Sequence, residues 1–212
     1  ILGHLQIVVS SSLFGLMPLI TKMAYSYGAT PITVAFCRCF YATIILAVIL
    51  PFMRKNIFSI ERKQIVPMLK IAIPFGLIPV ALFIAYTYLD SGMATILFYT
   101  HPIFVMVLSI LMYHTFPSKK QILCMILCLA GIVLLNAIQG EIKVVGIAVA
   151  ILAGFIYSVY VIACDQKGID EIDPTVLSFW INLFASIAVG IIGITSGQLM
   201  IVTEPMGQVS MF

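Results

Sequence analysis

Charge is the scarcest commodity in this chain. Of 212 residues only 9% are Asp, Glu, Lys or Arg, while 62% are hydrophobic and the mean hydropathy is +1.18. A soluble domain is about half apolar and about a quarter charged. One built from this composition would expose apolar patches far above the few hundred Å² or so that soluble monomers carry. The shortage excludes a soluble globular protein, a disordered chain and a nucleic-acid-binding domain. Cysteine is also sparse: Cys37, Cys39, Cys124, Cys128 and Cys164 all lie in apolar runs with no zinc-type spacing. They read as small buried residues, which excludes a disulfide scaffold and a metal site. There is no phosphate-binding loop, no Gly-x-Ser-x-Gly element and no Glu-x-x-His pair, so direct use of ATP and hydrolytic chemistry are not expected. No cofactor is expected either.

What is present is apolar runs of membrane-spanning length, roughly 20 residues at a rise of about 1.5 Å each. Seven such runs cover 5–27, 31–53, 64–89, 92–115, 118–138, 144–166 and 174–196. They are too long and too uniformly apolar for barrel strands, so the expected fold is all-α, a polytopic transmembrane helical bundle. The first run is a full span and not a cleavable signal. Thr30-Pro31 and Asp173-Pro174 each place a capping side chain before a proline at the first helical position. Ser91 and Pro117-Ser118 are read as the starts of the fourth and fifth spans. Arg54, Lys55, Arg62, Lys63, Lys119, Lys120 and Lys167 fall in loops on one side and Lys143 on the other. Seven against one puts the N-terminus in the cytoplasm.

Sliding the chain on itself by 143 positions aligns the first two spans with the sixth and seventh without a gap. Pro31 falls on Pro174, Phe36 on Phe179, Ala42 on Ala185, Ile44 on Ile187, Gly15 on Ser158 and Thr43 on Ser186. Self-similarity at a fixed offset signals a repeat. A unit of five spans enters the membrane the second time from the opposite side, which is the inverted-repeat plan of secondary transporters. The expected units are a first five-helix repeat over 1–139 and a partial second over 144–212. The chain begins at Ile1 rather than Met and stops where an eighth span would begin. The complete protein is therefore expected to have ten spans.

The run Ser12-Leu13-Phe14-Gly15, then Lys22, Pro31 and Phe36-Cys37-Arg38, resembles the aromatic-Gly, basic, Pro and Arg positions of the drug/metabolite transporter superfamily, EamA-type. The stretch 82–102, with the turn Ser91-Gly92-Met93-Ala94 and a mid-helix proline, resembles the third and fourth helices of that family. The stretch 117–135 resembles its fifth. The chain departs from the pattern at Tyr113-His114-Thr115-Phe116, where such proteins usually carry a glutamate. The resemblance implies a ten-helix carrier of small organic solutes, built as two inverted halves around a central cavity.

The polar residues inside the spans each have a bland and a sharp reading. Arg38, roughly 10 Å into its span, either snorkels or draws an anion to the cavity mouth. Ser11, Gly15, Pro18 and Lys22 share one helical face with Gly154, Ser158, Val161 and Asp165 as counterparts. The stripe reads first as close packing and second as cavity lining. Lys22 and Asp165 read as anchors at opposite membrane faces. Tyr86, Tyr99, Thr100, Tyr157, Tyr160, Trp180 and Asn182 are the remaining candidates for a cavity wall, Tyr99 and Tyr157 foremost because each lies well inside its span. Cys124 and Cys128 read as packing. His101, about 15 Å into the fourth span, precedes Pro102, which leaves the carbonyl of Phe98 without its helical donor. The histidine reads as a structural bond, a substrate contact or a proton carrier.

The expected function is secondary transport of a small metabolite or drug-like solute across the plasma membrane, without enzymatic chemistry. Proton or ion coupling is left open, as is monomer against homodimer. The competing reading is a seven-helix receptor or sensor, but the last visible span has no lysine for a retinal Schiff base.

Overall fold

A computed structural model of the chain describes residues 2–56, 60, 62–114, 116–136, 143–165, 169 and 172–199. They form eight helices: α1 (Leu2–Ser26), α2 (Pro31–Phe52), α3 (Arg62–Tyr88), α4 (Ser91–Phe98), α5 (His101–Tyr113), α6 (Lys119–Asn136), α7 (Val144–Cys164) and α8 (Pro174–Thr195). No strand occurs among the described residues. All seven expected spans are helical, and the fourth is broken into α4 and α5. Five stretches, Pro31–Phe52, Arg62–Tyr88, Ser91–Tyr113, Val144–Cys164 and Pro174–Thr195, are long and apolar enough to cross a bilayer. The protein is a polytopic helical bundle.

The helices begin where a side chain can take over an orphan backbone donor. The Thr30 hydroxyl accepts from the amide of Thr33 at 3.2 Å, and Asp173 accepts from Thr175 and Val176 at 2.9 and 3.4 Å. Ser118 and Gln121 form a reciprocal box at α6: the Ser118 amide donates to the Gln121 Oε1 at 2.7 Å, and the Gln121 amide to the Ser118 hydroxyl at 3.4 Å. One start needs correction. α4 is capped by Asp90, whose carboxylate accepts from the Gly92 amide at 3.0 Å, and Ser91 is already helical. A carboxylate is the better acceptor of the two, and its charge favours a helix N-terminus.

α3 is the central helix, packed against α2, α4, α7 and α8. Lipid tails are as apolar as leucine, so close packing rather than water exclusion holds such helices together. Gly76 of α3 shows how: a Cβ there would stand 3.2 Å from the Ala185 side chain and 3.2 Å from Val189. Phe83, Tyr86, Leu89, Met93 and Phe98 fill one end of the core. Leu50, Met68, Ile71, Val176 and Phe179 fill the other. The outward faces carry large apolar side chains such as Leu19, Met23, Ile45, Val48, Ile187 and Ile191, all exposed, as a lipid-facing surface requires.

α2 and α8 lie side by side and antiparallel. Thr30, before α2, donates to the carbonyl of Gln198, after α8, at 2.6 Å. Lys55, after α2, donates to Asp173, before α8, at 2.8 Å. Pro31 and Pro174 therefore sit at opposite ends of the pair. Both helices are followed by a residue in the left-handed region, Arg54 at φ 54° and Gly197 at φ 64°. These two positions are again 143 residues apart.

Candidate functional site

The break in the fourth span follows from Pro102. It has no amide hydrogen to give the carbonyl four residues back, and its ring crowds that carbonyl. The chain turns at Tyr99 and Thr100, where the Thr100 hydroxyl donates to the carbonyl of Leu97 at 2.8 Å. The orphaned carbonyl of Phe98 is met by His101, with Nδ1 3.1 Å from the oxygen. A carbonyl only accepts, so Nδ1 carries the proton and the neutral ring keeps Nε2 as an acceptor.

Helix α7 lets the break sit deep. At Gly154 a Cβ would stand 2.9 Å from the Phe98 carbonyl oxygen and 3.3 Å from the Thr100 hydroxyl. One turn on, Ser158 is fully buried, its hydroxyl donating to the carbonyl of Phe155 at 2.6 Å. Tyr157 faces the histidine, with ring centroids 4.4 Å apart. Phe98 meets Tyr157 edge to face at 5.4 Å, and Tyr160 extends the cluster to Phe75 at 5.5 Å. Such ring pairs contribute about 0.5–1.5 kcal/mol each beyond their area.

Beside this cluster, between α5, α6 and α7, opens a cavity of about 740 Å³. Tyr99, His101, Ser109 and Tyr157 supply polar atoms to a wall otherwise built from residues such as Val105, Met106, Met125 and Val161. Lys120 and Gln121, in the first turn of α6, stand at one end. Few polar groups in a mostly apolar hollow is the ordinary make-up of a small-molecule site.

A second polar group lies toward the far end of α3. The Thr95 hydroxyl donates to the carbonyl of Ser91 at 2.6 Å, so the Tyr86 hydroxyl is the donor in its 3.0 Å bond to Thr95. Arg38 is within electrostatic reach of Tyr86, as Tyr86 is of Tyr99 and Tyr99 of Tyr157. Ion pairs tie loops together: Lys22 with Asp90 at 2.9 Å and Lys55 with Asp173 at 2.8 Å. The Lys22 ammonium, with help from the Gly92 amide, holds the Asp90 carboxyl below the usual carboxylate range. Lys55 does the same for Asp173. Among the described residues no three His, Cys, Asp or Glu side chains gather into a metal site.

The structure brings together Tyr99, Thr100, His101, Tyr157 and Ser158, and leaves Arg38, on α2, outside the cavity lining. It separates two other candidates, Gly15 and Trp180. Gly15 is exposed on α1 with nothing within 4 Å of a Cβ, although its counterpart Ser158 is fully buried. α1 meets the described bundle through its second half, where Thr21 and Ala24 are buried and Lys22 pairs with Asp90. Trp180 packs on Phe179 and Phe184 at 5.6 and 5.5 Å and lines a separate crevice with Ile60 and Met68. Ser11 lies on α1, and its side chain is outside the described residues, as is that of Cys128. Asn182 spends its amide on the carbonyl of Ser178 in its own helix at 2.9 Å. Cys124, read as packing, is exposed and lines the cavity. Lys22, read as an anchor, is half of an ion pair. Asp90 was legible only as a helix start, the Asp before Ser91-Gly92, assigned one residue too late.

Residues 1–137 match the model of the EamA-like transporter family. Comparison with curated proteins finds no match, and comparison with solved structures finds none. The family match speaks for small-solute transport across a membrane and lends nothing to the receptor reading. The chain belongs to the EamA-like transporter family, within the drug/metabolite transporter superfamily.

Proposed function

We propose that the protein is a secondary carrier that binds a small organic solute in the cavity beside His101 and Tyr157 and moves it by alternating access. The observation that carries this reading is the broken fourth span. Carrier sites lie near the bilayer midplane and are built on discontinuous helices, whose freed backbone groups face a cavity instead of lipid. Here the break falls at Tyr99 and Thr100, midway along Ser91–Tyr113, and it is seated on Gly154 and flanked by the cavity.

The moving parts would be two inverted halves, 1–139 with five spans and 144–212. The family match ends at residue 137, close to that boundary. The equivalent caps of α2 and α8, their equivalent left-handed ends and their antiparallel contact support the same division. The loop charges favour an N-terminus in the cytoplasm, and the membrane we propose is the plasma membrane. Without a phosphate loop, the driving force would be a solute or proton gradient, and His101, which lines the cavity, is the coupling candidate.

The test is flux in proteoliposomes with and without a pH gradient, for the wild type, His101→Gln and His101→Ala. Proton coupling predicts that both variants lose gradient-driven accumulation and keep solute exchange. A role in solute contact alone predicts that exchange falls as well.

A further inference from the structure

The two ends of the bundle are built differently. At one end α1, α3, α4 and α7 close on each other. A Cβ at Gly146, in the first turn of α7, would stand 2.6 Å from Leu89 Cγ and 2.8 Å from Tyr88 Cβ, so the start of α7 lies flush against the end of α3. Lys22 of α1 pairs with Asp90 at 2.9 Å, and Tyr25 donates to the Phe83 carbonyl at 2.9 Å. Leu89, Met93, Ala94 and Ala150 are buried there. At the other end the helices part. A second hollow, of about 620 Å³, adjoins the cavity and shares Val105, Ser109 and Val161 with it. That hollow runs to Tyr113 and Asp165, where α5 and α7 end, and the cavity itself runs to Phe116 and Lys120. All four residues are exposed, and no residue of α5 is buried.

The cavity beside His101 and Tyr157 therefore reaches one end of the bundle and is shut from the other. Alternating access requires the shut end to open while the solute stays at its site. Helix α7 carries Tyr157 in the cavity wall and Gly146 in the closed seam, so a movement of α7 against α3 would part the seam next to the site. Both partners of the Lys22–Asp90 pair are largely solvated, so the pair holds this end only weakly and the apolar seam carries the larger share. Resting on the carrier reading above, we propose that this arrangement is the carrier open at the Asp165 end. The Gly146–Leu89 seam, with the Lys22–Asp90 ion pair beside it, is the closed gate of the opposite end.

The test is the sidedness of thiol labelling by a charged, membrane-impermeant methanethiosulfonate, in intact cells and in inverted membrane vesicles. The reporters are native Cys124, which lines the cavity, and Tyr99→Cys at the break, each read from the mass of its own peptide. Lys143→Cys, just before α7, identifies the preparation that presents the Lys22–Asp90 face. Both reporters should react at least about tenfold faster from the opposite face, since a minor conformer holds at most about 10% of the population. Gly146→Ala, which crowds the seam, should raise the slower rate at least about fivefold. Lys22→Gln should raise it by at most about fivefold. The comparison at native Cys124 stands even where a variant fails to fold. Equal rates from the two faces, or a faster rate from the Lys22–Asp90 face, would overturn the gate and leave the carrier reading intact. So would a slower rate that neither variant changes. Protection of both reporters from both faces would show the hollow shut to water and overturn the carrier reading of the cavity, and the proposal with it.

Discussion

His101 Nδ1 stands 3.1 Å from the carbonyl oxygen of Phe98, the acceptor that Pro102 leaves without a helical partner. One proline therefore both breaks the span and sets the tautomer of the histidine next to it. Pro102→Ala should undo both. The restored amide would compete for the Phe98 oxygen and draw α4 and α5 toward one continuous helix. We predict higher thermal stability, by up to about 3 kcal/mol, together with at least a tenfold loss of transport on the scale of one charged hydrogen bond. Denaturation and uptake assays on the same preparation check the split. A variant that is both more stable and fully active would show that the break is dispensable.

Gly154 is where α7 admits the break. The nearest atom to a Cβ there is a backbone oxygen at 2.9 Å, which has no rotamer to escape into. Gly154→Ala should destabilise the protein by about 1–3 kcal/mol, the usual cost of overpacking. Gly15→Ala, which meets nothing within 4 Å among the described residues, should leave the melting temperature unchanged. Thermal melts of the two variants in one detergent give the comparison.

Much of this was legible in the residue order, and the reasons differ from element to element. Apolar length marks the spans, because the bilayer imposes it, and five of the seven expected ones recur among the described helices as long and apolar enough to cross a bilayer. Thr30-Pro31 and Asp173-Pro174 are local capping chemistry, readable without tertiary structure. The His101-Pro102 pair announces a free carbonyl, and the structure places the imidazole on it. Placement across helices was not legible. Gly15 and Ser158 occupy equivalent positions, yet one faces open space and the other is buried, because packing depends on neighbours that a periodic stripe does not specify. Trp180 looked like a cavity aromatic and belongs to a different part of the core for the same reason. The pairing of Lys22 with Asp90 joins residues 68 positions apart, a separation that no local pattern reports.

That pair sets a pH dependence. Asp90 titrates below the usual carboxylate range because Lys22 and the Gly92 amide bind its charged form. Its contribution is complete at pH values above the ordinary carboxylate pKa and is lost as pH falls through the depressed folded value. Both side chains are largely solvated, so the link amounts to at most about 1 kcal/mol. Acidification from neutral to below about pH 4 should therefore speed exchange of the Gly92 amide, corrected for its intrinsic rate, by a few-fold or about fivefold at most. In Lys22→Gln the step should shrink and move toward the ordinary carboxylate range.

The antiparallel contact of α2 and α8 makes a geometric prediction. Lys55 Nζ is 3.0 Å from the Thr175 hydroxyl, while Thr30 lies at the opposite end of the pair. A short bis-maleimide should cross-link Lys55→Cys with Thr175→Cys and leave Thr30→Cys with Thr175→Cys uncoupled. Cross-linking of the second pair would place both helix starts on one membrane face and end the inverted-repeat reading.

The central claim is that solute passes through the cavity beside His101 and Tyr157. Its most direct test is counterflow of a solute that the wild type exchanges, in proteoliposomes carrying the wild type, His101→Ala, Tyr157→Ala or Trp180→Ala. The account predicts at least a tenfold loss for Tyr157→Ala, about the scale of one hydrogen bond to a charged group. His101→Ala should show the same loss where the histidine contacts the solute, and retained exchange without gradient-driven accumulation where it carries the proton. Trp180→Ala should retain transport, since that side chain lines a separate crevice. Wild-type rates in both His101→Ala and Tyr157→Ala across about pH 5.5 to 8, the range in which a histidine titrates, would contradict it.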